Sequence, residues 1–222
     1  MTELELSRRE RKKEETKERI FKAAVKLFRD KGFEATTIDD ITERADVAKG
    51  TFFNYFPKKE AVLGYLSEAR MAAAVENAEA LLAADRPARE KLLAMYADVL
   101  AAYEEDRELS WFVLMESMQK AFVVSEDVHS RWDGLAVQVI EQGQASGELR
   151  ASVAPVRAEQ VLKSVFLGTL FMWLKCSEVM NLNVQDELQQ RLTLVLDGLA
   201  APSGAPARRA RTMDRAEGEI GG

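Results

Sequence analysis

The stretch KGTFFNYFPKKEAVL, residues 49–63, gathers side chains able to recognise another molecule by direct contact. Lys49 and Lys59 bring cations, Thr51 a hydroxyl and a methyl, Asn54 an amide and Tyr55 a phenol. This set suits a nucleic acid. An asparagine amide can pair with adenine, a threonine methyl can meet thymine, and a phenol can donate to phosphate. Gly50 has no side chain, so a partner's backbone can approach the main chain closely. Thr36 and Thr37, just upstream, are placed to meet the flanking sugar-phosphate chain. The four aromatics of this run are not equivalent. At about 100° per residue, Phe52 and Phe56 share one helix face. Thr51, Asn54 and Tyr55 take the opposite side, with Phe53 at the boundary. Two rings are thus expected in a core and the rest on a contact surface. The competing interpretation is a plain packing unit with a solvated lysine face.

Covalent and metal chemistry have little to work with. The chain holds one histidine, His129, and one cysteine, Cys176, so a His/Cys metal cluster cannot form and no internal disulfide is possible. No nucleophile elbow, dinucleotide-binding glycine motif or P-loop is present. No catalytic residue, metal or cofactor is expected, and the chain is not expected to be an enzyme. The longest apolar run, VFLGTLFMWL at 165–174, is ten residues, about half of the ~20 needed to cross a bilayer. The N-terminus is charged and has no apolar signal core. A cytoplasmic setting without membrane contact is expected.

The elements that must position these residues are helical. With 222 residues, 12 Gly and 5 Pro, the chain is long enough for a small and a larger helical domain. Its formal charge of −6 is uneven: residues 1–60 hold 15 Lys+Arg against 13 Asp+Glu, and the remainder 16 against 24. A basic contact surface at one end of an acidic protein follows. Residues 1–13, with RRERKK at 8–13, are expected to be a basic flexible arm. From Glu14 to Lys31, Ile20, Ala24, Leu27 and Phe28 share one face. Thr37 with Asp40 outlines a capping box for a short helix over 38–45. A turn at 46–48, a second short helix over 49–55 and a stop at Pro57 complete a helix-turn-helix. Further helices are expected over 58–83, 88–105, 107–122, 127–145, 156–181 and 184–200, and residues 201–222 form a tail expected to be disordered.

The segment TIDDITERADVAKGTFFNYFPKKEAVL, residues 37–63, resembles the helix-turn-helix signature of the TetR family of bacterial transcription regulators. The resemblance spans about residues 16–65. It implies an all-α protein with a three-helix DNA-binding domain at 14–60 and a helical effector-binding and dimerisation domain at 61–200. It implies a homodimer on a palindromic double-stranded operator, most often repressing, and released by a small effector. Carried over by position, Thr36, Thr37, Lys49, Thr51, Phe53, Asn54, Tyr55 and Lys59 match DNA-contacting positions. Three residues depart from the usual pattern: Asp46 where Gly is common, Ala48 where Ser is common, and Phe53 where Tyr is common.

In the larger domain, Trp111, Met115, Met118 and Phe122 recur at helical spacing. Such a stripe is either ordinary core or, as the resemblance suggests, one wall of an effector cavity to which Phe112 and Trp132 contribute. A cavity so lined suits an apolar or amphipathic molecule, with Glu116, Lys175 and Glu178 as possible polar anchors. Residues 161–174 are apolar all round, which favours burial against a second subunit as well as the chain's own core. Val161, Val165 and Gly168 on this helix, with Leu188, Leu192 and Val195 on the next, form the expected dimer face; a single-chain bundle is the alternative. A DNA-binding factor of the same fold without an effector also remains open.

Overall fold

A computed structural model describes residues 8–121, 128–180 and 183–200, with side chains described at 10–118, 131–176 and 183–200. Among these residues the chain forms one isolated antiparallel bridge, Leu149 with Ala200, and the helices α1 (Arg8–Lys31), α2 (Ile38–Ala45), α3 (Lys49–Tyr55), α4 (Glu60–Ala83), α5 (Ala88–Glu104), α6 (Arg107–Ala121), α7 (Val128–Ser146), α8 (Pro155–Met180) and α9 (Val184–Leu199). The expected spans agree closely, with one difference at the start. RRERKK belongs to α1 rather than to a flexible arm, because its charged residues are good helix formers and extend the amphipathic segment behind them. The expected tail lies outside the described residues.

Local chemistry sets each boundary of the small N-terminal unit. Gly32 follows α1 with φ +86° and its N–H bonds back to the Phe28 carbonyl at 3.0 Å, the left-handed stop that glycine permits. Thr37 caps α2: its hydroxyl accepts from the Asp40 N–H at 3.2 Å, and the Asp40 carboxylate accepts from the Thr37 N–H at 2.7 Å. Lys31 sits 2.6 Å from the same carboxylate. Lys31 first, then the Thr37 bonds, holds the Asp40 carboxyl well below the usual range. Asp46 ends α2 at φ 51°, a conformation that costs a non-glycine residue some strain. Ala48 opens α3 with no side-chain cap, as the departure from Ser implies. Ile20, Ala24, Phe28, Ile41, Ala45, Phe52 and Phe56 fill the core between these helices.

Helix α4 leaves this core through Val62, Leu63 and Leu66 and continues into the larger body through Ala74, Val75 and Ala78. There it packs against α5, α6 and α7, while α8 packs on α7 and α9. The Glu148 carboxylate accepts from the first N–H groups of α5, Ala88 at 2.7 Å and Arg89 at 2.9 Å, an anion on a helix N-terminus. The N–H of Arg150 bonds the Leu199 carbonyl at 2.8 Å, tying the α7–α8 turn to the end of α9.

Candidate nucleic-acid interface

Helix α3 is two turns long and is held from behind. Phe52 and Phe56 are buried, their rings 5.9 Å apart, as the wheel expectation has it. This pins the opposite face outward. Lys49, Gly50, Phe53 and Asn54 are exposed, and Thr51 and Tyr55 are half-buried. Phe53 lies further out than the boundary position expected: 49% of it is exposed, and the Phe52 ring braces it edge-on at 5.6 Å. The space a Cβ on Gly50 would take is open, so the start of α3 leaves room for a partner's backbone. Together these residues make an outward strip with a cation, a hydroxyl, an amide and an apolar ring, a mix suited to base edges in a major groove.

The structure departs from expectation at two DNA-site positions. Thr36 is 1% exposed and its hydroxyl donates to the Gly32 carbonyl at 2.8 Å. The side chain closes the α1–α2 loop and does not reach the surface. Lys59 turns inward as well. Its Nζ donates to the carbonyls of Phe33 at 2.8 Å, Thr36 at 2.9 Å and Glu34 at 3.3 Å, and lies 4.4 Å from the Phe33 ring. An ammonium has three donors, and all three are used on main-chain carbonyls of the α1–α2 loop. Thr37 stays exposed but is committed to its cap. Lys49 faces solvent with its Nζ 2.6 Å from Asp39 on α2, a partner that sequence spacing alone does not reveal.

Three contacts join this unit to the larger body. Arg29 reaches Glu105 at 3.1 Å and Asp106 at 3.9 Å, at the α5–α6 corner. The Phe33 and Phe112 rings lie 4.8 Å apart. Lys58 stands 3.8 Å from Glu116, a buried residue of α6. Glu116 thus serves the junction rather than a ligand cavity.

The residues expected to line a cavity fall into separate surroundings. Trp111 and Met115 are half-buried and Met118 is exposed; the Trp111 ring packs 5.6 Å from Phe171 and carries the Lys175 ammonium at 4.4 Å. Phe112 faces Phe33, and Trp132 is buried against Tyr96 at 4.9 Å. Phe122 and the side chain of Glu178 lie outside the described residues. The inward stripe of α6 is instead Leu109, Ser110, Val113 and Leu114. Ser110 can enter because its hydroxyl accepts from Arg70 at 3.3 Å, so the largest side chains do not mark the buried face.

The expected dimer face also shifts. Leu188 and Leu192 point into the chain's own core with Val184 and Leu196, one i, i+4 stripe, and so cannot serve a partner. Val161, Leu167, Phe171 and Met172 on α8 and Leu194 on α9 are exposed instead, Leu194 at 72%. Gly168 is exposed with open space around it, and Val165 and Val195 are half-buried.

The model described as "Bacterial regulatory proteins, tetR family" matches residues 20–66, the segment that holds α2 and α3. The HTH-type transcriptional repressor NemR of Escherichia coli (strain K12) is 26% identical over 162 residues, 69% of this chain and 81% of its own length. The fatty acid metabolism regulator protein of Bacillus subtilis is 24% identical over 157 residues, 69% of this chain and 81% of its own. Among solved structures, the Thermus thermophilus FadR repressor in complex with lauroyl-CoA is 29% identical with a TM-score of 0.68, covering 86% of this chain and 98% of that one. These relatives are transcription regulators and not enzymes.

Proposed function

Because the chain belongs to the TetR family of bacterial regulatory proteins, we propose that it is a repressor that binds a palindromic operator as a homodimer. A small apolar or amphipathic effector releases it. One observation carries this reading: the outward strip of Lys49, Thr51, Phe53, Asn54 and Tyr55 on a helix whose inner face is fixed by Phe52 and Phe56. Base contacts fall to Thr51, Phe53 and Asn54. Phosphate contacts fall to Lys49, Tyr55 and the N–H groups beside Gly50. The exposed apolar residues of α8 and α9 support the dimer, since a soluble chain seldom leaves such a face uncovered. The lauroyl-CoA bound by the T. thermophilus FadR relative supports an effector with a long apolar part.

Thr51→Ala combined with Asn54→Ala is expected to lower affinity for the selected operator at least about 100-fold, from two lost base contacts, with native far-UV circular dichroism. An operator gel shift unchanged from the parent sinks the assignment. A second reading, the same DNA-binding fold without an effector, has one observation in its favour. Trp111, Phe112 and Trp132 all pack on other rings of the protein rather than around a shared space.

A further inference from the structure

Tyr96 on α5, Trp132 on α7 and Glu159 on α8 bring polar groups together inside the larger body. The Tyr96 ring lies 4.9 Å from Trp132 and 5.5 Å from Phe166. Tyr96, Trp132 and Glu159 are each more than nine-tenths buried, Glu159 being only 4% exposed. Yet Tyr96 Oη, Trp132 Nε1 and Glu159 Oε1 have no hydrogen-bond partner within the protein. Buried polar atoms are almost always satisfied. Three unpaired ones from three helices mark a place that something else completes.

The charges say what is missing. Asp133 has its own cation, Lys163, at 2.5 Å. Glu159 has none to itself and shares a hydrogen bond with Asp133. Burial first, then the Asp133 charge, pushes the Glu159 carboxyl up to about 7, against the pull of Lys163. Burial and the same two carboxylates also raise the Tyr96 phenol far above its ordinary value, keeping it a neutral hydroxyl. The bond to Asp133 needs a proton on one of the two carboxyl groups; once Glu159 loses it, two carboxylates face one ammonium and the cluster is one positive charge short. Its walls are aromatic, and aromatic faces attract cations when water is excluded.

We propose that this cluster is the head-group site of the effector and takes a protonated amine carried on an apolar body. The amine N–H groups donate to Glu159 Oε1 and Tyr96 Oη. Trp132 Nε1 donates to a ligand oxygen or to a water that arrives with it. The assignment rests on the effector reading of function, and it departs from the anionic thioester seen in the T. thermophilus FadR relative.

Calorimetric titration of the full chain with four probes of equal tail length tests it: dodecylamine, dodecanol, dodecanoate and lauroyl-CoA, each below its micelle concentration. At pH 8 dodecylamine is expected to bind at least tenfold more tightly than dodecanol. That margin should shrink at pH 6, where a proton occupies Glu159 in place of the amine. Glu159→Gln should abolish the margin and leave dodecanol affinity unchanged. Tyr96→Phe, which keeps the ring, should weaken dodecylamine about threefold. Dodecanoate or lauroyl-CoA binding as tightly as dodecylamine overturns the proposal, as does a margin that survives Glu159→Gln, or no binding by any probe. If dodecylamine binds with this dependence but leaves the operator complex intact, the head-group site stands and the effector reading of function fails.

Discussion

Two lysines that look alike in the sequence have different work. Lys59 supplies three hydrogen bonds to the carbonyls of the α1–α2 loop, so its removal acts on folding. Lys59→Met is expected to cost about 2 kcal/mol, the scale of charged hydrogen bonds lost to buried carbonyls. Thermal melting should show this, while the salt dependence of operator binding keeps the parent slope. Lys49 is exposed and paired with Asp39 at the surface, where such pairs contribute about 0–1 kcal/mol. Asp39→Asn should therefore leave stability nearly unchanged. It should tighten DNA binding and steepen the plot of log affinity against log salt by about one unit. Lys49, Thr51 and Asn54 were legible as outward residues because a helix wheel is local information. The inward turn of Lys59 was not, since its acceptors sit 23 to 26 residues away in a loop whose path depends on tertiary packing.

At the scale of elements, the turn between α2 and α3 carries a cost the sequence already hints at. Asp46 holds φ 51° at the position where the family pattern that the segment resembles has glycine. Asp46→Gly relieves that strain and loses some of the gain to the freer unfolded chain, so stability should rise by about 0.5 kcal/mol. Chemical denaturation with an unchanged m-value checks it. Helix existence was legible throughout, because capping residues, Gly32 and Pro57 punctuate strongly periodic segments. Helix phase was less so. On α6, Trp111, Met115 and Met118 suggested the buried face, but the short polar side chain of Ser110 is the one that lies in the core, where it finds a partner in Arg70. On α9 the same ambiguity assigned Leu188 and Leu192 to a partner subunit when they close the chain's own core. An apolar stripe says that a face is covered, not by what. The Tyr96–Glu159 cluster left no trace in periodicity, since a lone glutamate on a helix, with Arg157 and Gln160 close by, reads as solvated.

At the scale of the whole molecule, the exposed rings and aliphatics of α8 and α9 are the surface on which the proposed dimer depends. Phe171→Glu with Leu194→Glu places two charges on that face. The variant should sediment as a single 24.9 kDa chain with helicity intact, and it should lose the operator affinity that two linked half-sites provide. A parent protein that is already monomeric at micromolar concentration defeats the dimer. The junction has a further consequence. The unit bearing α3 does not hang from a flexible link: α4 runs unbroken from one body into the other. Arg29 fastens this unit to the α5–α6 corner, and Phe33 and Lys58 fasten it to α6. In a dimer joined through α8 and α9, the molecule then behaves as a pair of calipers whose jaws are set at the pivot. On the proposed function, α3 chooses the bases accepted in each half-site. The larger body then chooses the number of base pairs between the half-sites, and an effector lodged among its helices is expected to change the gauge before it changes the jaws.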